Sequence, residues 1–302
     1  MEPSFNTRRP LFAVALSVGL AAGCGGGDGP SATAAPQEAR GWSNPFGSAA
    51  IVLGQAAFDQ VDPQGTGATP IRRPPGSPAV TPDGRLFVAS GAQLLGFAKS
   101  GTTYAPIAAL KYDLLQAFGA EVSGGLSTQG TKLVLAAGHQ VHLFDVAPQT
   151  PSDAPEVSSP NRLSGCDVSH LNQPRSAFLT PLGQLVVADT FNNRVLVWST
   201  VPQTGHLSDP DLVLGQRSAD KCAPNDDDGD GNTDAASART MSHPSSVWSD
   251  GVRLAVADYR NHRVLLWNTF PNATDPASHR ASVVLGQADL GSVGANAGKG
   301  RP

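Results

Sequence analysis

The sequence predicts an all-β fold assembled from copies of one short-stranded unit, and three observations predict it. The 302 residues include 33 Gly and 25 Pro but only 15% charged residues, a composition rich in turns and poor in solvated helix faces. Strong helix formers are scarce: Glu stands only at positions 2, 38, 121 and 156, and Lys only at 99, 111, 132, 221 and 299. The third observation is an internal repeat. Residues 75–89 align without gaps on residues 174–188, keeping Pro, Ser, Thr, Pro, Gly, Leu, Val and Ala in the same places. Residues 187–198 align in the same way on residues 256–267, with Val-Ala-Asp, Asn, Arg-Val-Leu and Trp retained.

In chain order, the first segment is an address label. Arg8 and Arg9 precede an apolar run from Leu11 to Ala22, about half of the ~20 residues that span a bilayer, so residues 1–23 read as a secretory signal. The run ends in Leu20-Ala21-Ala22-Gly23-Cys24, which resembles the bacterial lipoprotein cleavage box. The resemblance implies a lipid on Cys24 as first mature residue and, with no Asp after Cys24, a place in the cell envelope at the outer membrane. Residues 24–45 are rich in Gly, Ala, Ser and Pro with little apolar periodicity, as a flexible tether requires.

Residues 46–290 carry the repeats. Each copy offers three apolar runs separated by turns, with strands expected near 85–90, 132–137, 184–188 and 252–257. A fourth run recurs as Ile51-Val-Leu-Gly-Gln55, Leu212-Val-Leu-Gly-Gln216 and Val283-Val-Leu-Gly-Gln287. Four short strands per copy is the signature of a β-propeller blade. The pattern from Pro244 to Trp267, P-x-x-V-x-x-D-G-x-L-x-V-A-D-x-x-N-x-R-V-L-x-W in its general form, resembles the NHL repeat and its bacterial relatives whose blades end in V-L-G-Q. The resemblance implies a propeller whose strands ending at Ala89, Ala136, Ala188 and Ala257 stand second from the axis. About four blades are visible, and both a closed ring of four and an open arc accommodate them. Residues 291–302 are expected to be a disordered tail.

The chemistry is sparse. A net charge of −4 and a pI near 5.9 lack the basic excess that phosphate neutralisation needs, so nucleic acid is not expected as a partner. No H-E-x-x-H occurs, and Gly125-Leu-Ser127-Thr-Gln129 lacks the second Gly of a nucleophile elbow. His139 and His142 fall on opposite faces of a strand and make a poor metal pair. Asp189, Asn192 and Arg194 recur as Asp258, Asn261 and Arg263; recurrence argues for architecture, with Arg paired to Asp at a turn. Trp198 and Trp267 read as packing between blades. With Cys24 assigned to lipid, Cys166 and Cys222 form an even pair in an oxidising compartment, where a disulfide is expected and two free thiols are the alternative.

One segment carries a sharp signal: Asp226-Asp227-Asp228-Gly229-Asp230-Gly231-Asn232-Thr233-Asp234. Acids at positions 1, 3, 5 and 9 with Gly at 6 suit a loop that wraps hard oxygens around Ca²⁺. Asp226, Asp228, Asp230 and Asp234 are expected to ligate through side chains and Asn232 through its carbonyl. Position 12 is Ser237 rather than Glu, and the segment more closely resembles the calcium loops of integrin-type propellers and thrombospondin type 3 repeats. Two function classes follow. The first is a membrane-tethered, non-enzymatic propeller that binds an envelope protein or polysaccharide; the second is a hydrolase or lyase, lactonase-like, with a metal in the central channel.

Overall fold

The computed structural model describes residues 51–53, 71 and 76–299. The signal segment, Cys24 and the tether lie outside the described residues. Four sheets follow one another along the chain. The first holds β1 (Ala79–Val80), β2 (Leu86–Ser90), β3 (Gln93–Ser100) and β4 (Thr103–Asp113) in that spatial order, and a short helix, α1 (Leu114–Phe118), follows. The second runs from β5 (Ser127–Gln129) through β6 (Lys132–Ala137) and β7 (Gln140–Phe144) to β8 (Val157–Ser158). The third contains β9 (Ser176–Leu179), β10 (Leu185–Asp189) and β11 (Arg194–Trp198). The chain then lends β12 (Gly205–His206), parallel, to the edge of β8 before returning as β13 (Leu212–Leu214) beside β11. The fourth is β14 (Pro244–Ser249), β15 (Leu254–Asp258), β16 (Arg263–Trp267) and β17 (Val283–Leu285).

These are propeller blades. Within each sheet the strands meander antiparallel, β12 apart, and the first strands of successive sheets are tied to one another: Leu126 N donates to Ser77 O at 2.9 Å, Gly125 N to Arg175 O at 3.2 Å and Val247 N to Ser176 Oγ at 3.3 Å. Residues from the starts of all four sheets wall one cavity. The turn from first to second strand shows why the repeat keeps its Gly. Gly84, Gly183 and Gly251 have φ of 83°, 84° and 88°, a region in which a Cβ is strained, and the preceding Thr81 and Thr180 close the turn by accepting from the Gly N–H through their carbonyls.

Apolar faces pack blade on blade. Val134, Ala136, Val141 and Leu143 of the second sheet meet Leu179, Leu185, Val187, Leu196 and Trp198 of the third. Val186, Ala188, Val195 and Val197 on the opposite face of the third meet Val247, Val256, Leu265 and Trp267 of the fourth. Both tryptophans stand between blades, as the repeat suggested. Each buried aliphatic side chain stabilises the fold by about 1.5–3 kcal/mol.

One element departs from the sequence reading. Ile51–Leu53, expected as a strand by analogy with Leu212–Leu214, joins no ladder among the described residues, because β4 occupies the outer edge of the first sheet. Leu53 instead packs on Val88, Leu95 and Phe97. The one α-helix among the described residues, α1, is a turn and a half, capped by the Asp113 side chain, which accepts from Gln116 N at 3.0 Å, and closed by left-handed Gly119.

Candidate functional site

The repeated polar motif is the frame on which the sites hang. Asp189 ends β10, a 3-10 turn covers Thr190–Asn192, and left-handed Asn193 feeds Arg194 into β11; Asp258, Tyr259–Asn261, His262 and Arg263 repeat this. Arg194 Nε donates to Asp189 Oδ2 at 2.7 Å and Arg263 Nε to Asp258 Oδ2 at 2.7 Å, with all four side chains fully enclosed. Asn192 and Asn261 donate to the same carboxylates at 2.9 and 2.8 Å. The remaining guanidinium donors reach carbonyls of the connecting loops: Arg194 Nη2 to Asp167 and His170 at 2.8 Å each, and Arg263 Nη2 to Ser237 at 3.0 Å and Thr240 at 2.9 Å. Each ion pair therefore fastens the loop that enters its own blade.

The first fastened loop also carries Cys166, which is bonded to Cys222 with Cα atoms 6.1 Å apart. This joins the loop before β9 to the loop after β13. Beyond Cys222 begins the acidic segment. Its base is held by Asn225, whose N–H donates to Met241 O at 2.9 Å and whose amide exchanges hydrogen bonds with that of Asn261 at 3.1 and 2.8 Å. Arg239 pairs with Asp227 at 2.9 Å.

Within the segment, oxygens of Asp226, Asp228 and Asp234 all lie within 4.8 Å of one another. A cation with oxygens at 2.3–2.6 Å spans such a group, so these three carboxylates fit Ca²⁺ in spacing and in hard-oxygen chemistry. Asp226 is buried and directed by the loop backbone: its Oδ1 accepts from Gly229 N at 2.7 Å and its Oδ2 from Gly231 N at 3.0 Å. Asp234 Oδ2 accepts from Asp227 N at 3.0 Å. Asp230 stands outside the group of three, because its carboxylate turns to Asn232, accepting from the backbone N at 2.7 Å and from Nδ2 at 2.9 Å. Those bonds hold the Asp230 carboxyl below its usual pKa.

The second feature is the groove on the inner strands, a cavity of 450 Å³. Ser77, Ser127, Ser176, Ser245 and Ser246 give it hydroxyls, Phe178, Val247 and Trp248 give it apolar wall, and Arg175 is the charged residue of the described lining. At its edge Arg175 Cζ lies 5.8 Å from the centre of the Phe191 ring, and the His243 ring meets Phe191 edge-on at 5.3 Å. His243 is in the left-handed region at φ 53°, held by donation from its N–H to Asn193 Oδ1 at 2.8 Å. Burial, then Arg260 and Arg175, hold the His243 imidazole below its ordinary pKa.

The two histidines of the second blade have different surroundings, because only His142 lies in a strand. His142 is buried in β7, stacked on Phe118 with ring centres 3.7 Å apart, and its Nδ1 meets Ser158 Oγ at 2.8 Å. His139 lies on the turn before β7, where its Nδ1 accepts from Gln173 N at 3.2 Å.

Sequence reasoning found the acidic segment and the Asp–Asn–Arg motif but not the groove. Its lining was available in the repeat: the two residues after Pro174 and Pro244 begin inner strands, and both Arg175-Ser176 and Ser245-Ser246 line the cavity.

No protein-family model matches the chain, and no curated protein matches it. Among solved structures it is similar to streptogramin B lyase (10% identity, TM-score 0.38, 63% of this chain and 50% of that one). It is also similar to a putative 6-phosphogluconolactonase from Bacteroides fragilis (11%, 0.46, 73% and 59%) and an auxiliary nutrient binding protein from Bacteroides thetaiotaomicron (14%, 0.37, 61% and 44%). The chain spans about half the length of these structures.

Proposed function

We propose that this chain is a non-enzymatic binding module of the bacterial cell envelope: an NHL-like propeller tethered to the outer membrane through lipidated Cys24, with a calcium-stiffened loop beside its binding face. The observation that carries the reading is the groove. Its described lining is serine hydroxyls, one guanidinium and apolar side chains, a surface suited to holding a ligand by hydrogen bonds and contact area. A lactonase-like or lyase chemistry asks for carboxylate, Asn or His ligands converging there, and the described lining supplies none of these types. The partner is an envelope protein or polysaccharide.

Calcium is supported by the three converging carboxylates, and the tether by the small residues before Cys24. Bound Ca²⁺ would be held by Asp226, Asp228 and Asp234 and would neutralise their mutual repulsion. Asn225, bonded to Met241 and Asn261, and Arg239, paired with Asp227, hold the start of that loop.

The test is co-sedimentation of the 302-residue chain with envelope fragments, before and after protease or periodate treatment, in millimolar calcium and in chelator. Saturable binding removed by one of the two treatments and weakened by chelator is the expected result. Absence of saturable binding, or turnover of a lactone substrate that depends on groove residues, overturns the reading.

A further inference from the structure

A second groove, of 640 Å³, lies between α1 and the loop from β7 to β8 and shares no lining residue with the groove of the inner strands. Its volume is that of a small-ligand site. Tyr112, Asp113 and Ala117 wall it from the end of β4 and from α1, and Pro151, Asp153 and Pro155 wall it from the loop. Asp153 holds the loop in shape: its Oδ2 accepts from Gln149 N at 2.7 Å and Thr150 N at 3.1 Å, and its Oδ1 from Thr150 Oγ1 at 2.6 Å. Asp113 Oδ1 accepts from Gln116 N at 3.0 Å. A carboxylate offers about four lone-pair sites, so Asp113 keeps its Oδ2 and Asp153 keeps one site on Oδ1. Neither carboxylate is in an ion pair among the described residues, and the described lining carries no Lys, Arg or His. Exposed Lys111, two residues before Asp113, pairs with neither.

The observation that points to a ligand is Tyr112. It is 3% exposed, its ring 5.9 Å from that of Phe118 and edge-on to Phe144 at 5.9 Å. Its hydroxyl has no hydrogen-bond partner among the described residues and is not one of the enclosed polar atoms, so it opens into the groove that Tyr112 lines. A phenol buried to its tip and unbonded at that tip is completed by a polar group from outside. Burial, then the Asp153 charge, push the Tyr112 hydroxyl above its ordinary pKa, so it is neutral and its oxygen can accept.

Two carboxylates and a neutral oxygen on one groove, with no cation in its described lining, select a cation that carries N–H donors. A primary ammonium has three such donors and no acceptor. A quaternary ammonium needs an open aromatic face instead, and here the rings are closed: Phe118 is 7% exposed and has His142 stacked on it at 3.7 Å. We propose that this groove binds a primary alkylammonium group, its N–H donors toward Asp113, Asp153 and the Tyr112 hydroxyl and its methylene stem along Ala117, Pro151 and Pro155. Apolar stems of this kind pack on such walls while the charged head keeps its polar partners. Two sources carry the chemistry, a lysine side chain of a polypeptide and a free amine. The site goes beyond the binding-module reading of the inner-strand groove and does not depend on it.

The test is a chemical-shift titration of the 302-residue chain with Nα-acetyl-lysine methylamide, its Nε-acetyl and Nε-trimethyl forms, and pentylamine, repeated on the Asp113→Asn/Tyr112→Phe variant. Asn caps a helix as well as Asp does and Phe keeps the ring, so the variant should keep the parent's unfolding midpoint; if it does not, Tyr112→Phe alone takes its place. Saturable binding of the lysine derivative is expected, at least tenfold weaker for the Nε-acetyl form, for the Nε-trimethyl form and for the variant. Pentylamine binding as tightly as the lysine derivative assigns the site to free amines, and binding at least tenfold weaker assigns it to lysine within a polypeptide; both results support the ammonium assignment. No saturable shift, equal affinity for the Nε-acetyl or Nε-trimethyl form, or an unaffected variant each overturns it.

Discussion

At the residue scale the molecule carries ion pairs that are fully enclosed and ion pairs that meet solvent, and the two groups respond differently to change. Asp189 and Arg194 are both fully enclosed, with donors from Asn172 and Asn192 on the carboxylate. Removing one partner strands the other charge, so Asp189→Asn should destabilise by about 3–5 kcal/mol, read as a shift in the denaturant midpoint. The exposed pair Arg253–Asp250 at 2.7 Å is the control: Asp250→Asn should change stability by about 0–1 kcal/mol. His142 gives a second residue-level test. Burial, with Arg162 adding to it, pushes its imidazole down to about 3. The unfolded chain therefore binds a proton near pH 6.5 that the folded chain refuses until about pH 3. Stability from this group is complete above pH 6.5 and declines as pH falls through that window, by at most about 1.4 kcal/mol per unit. His142→Leu should flatten the slope of stability between pH 6.5 and 4, and an unchanged slope would show that His142 is already protonated in the folded state.

At the scale of elements, the acidic loop is the part whose residues stand out in the sequence and whose geometry does not. The acids at loop positions 1, 3, 5 and 9, with Gly231 at 6, point in the sequence to hard-oxygen ligation of a cation. Which oxygens converge depends on backbone donors that spacing does not encode: Gly229 and Gly231 aim Asp226 inward, whereas Asn232 draws Asp230 aside. Asp228→Ala should accordingly remove calcium binding in a calorimetric titration, while Asp230→Ala should weaken it several-fold at most. Wild-type affinity is expected at about 10⁻⁴–10⁻³ M, the range of extracellular modules; equal losses in both variants would place Asp230 in the shell. The strands divide in a related way. β10, β11, β15 and β16 were readable because Thr-Pro or Ser-Asp turns and the Asp–Asn–Arg motif bracket each apolar run. β4 was not, since Thr103–Asp113 contains Pro106 and a register shift opposite Leu95 and Phe97. Nor was β12, whose parallel pairing of two residues with β8 is made by the neighbouring blade and has no local signal.

For the whole molecule, the repeat makes each blade a measure of the next. In the third blade every residue of β10 and β11 is buried, because one face packs on the second blade and the other on the fourth. In the fourth blade the same positions alternate: Leu254, Val256, Leu265 and Trp267 are buried, while Ala255, Ala257, Val264 and Leu266 stay half-exposed. Trp248, Val283 and Leu285, 49%, 38% and 43% exposed, extend that open face onto the flanking strands. Their counterparts in the third blade, Phe178, Leu212 and Leu214, are packed against the fourth. Adjacent leucines on β16 thus sample a covered and an open face with the same chemistry and the same strand. Leu265→Ala removes a side chain with no solvent exposure and should destabilise by about 2–5 kcal/mol, transfer and cavity terms together. Leu266→Ala leaves no enclosed cavity and should stay below about 1.5 kcal/mol, since part of its side chain already contacts water. Chemical denaturation of the two variants measures both values in one series. Comparable losses would mean that the open face is covered in solution, and a protein concentration dependence of the Leu266→Ala loss would then identify a second copy of the chain as the cover.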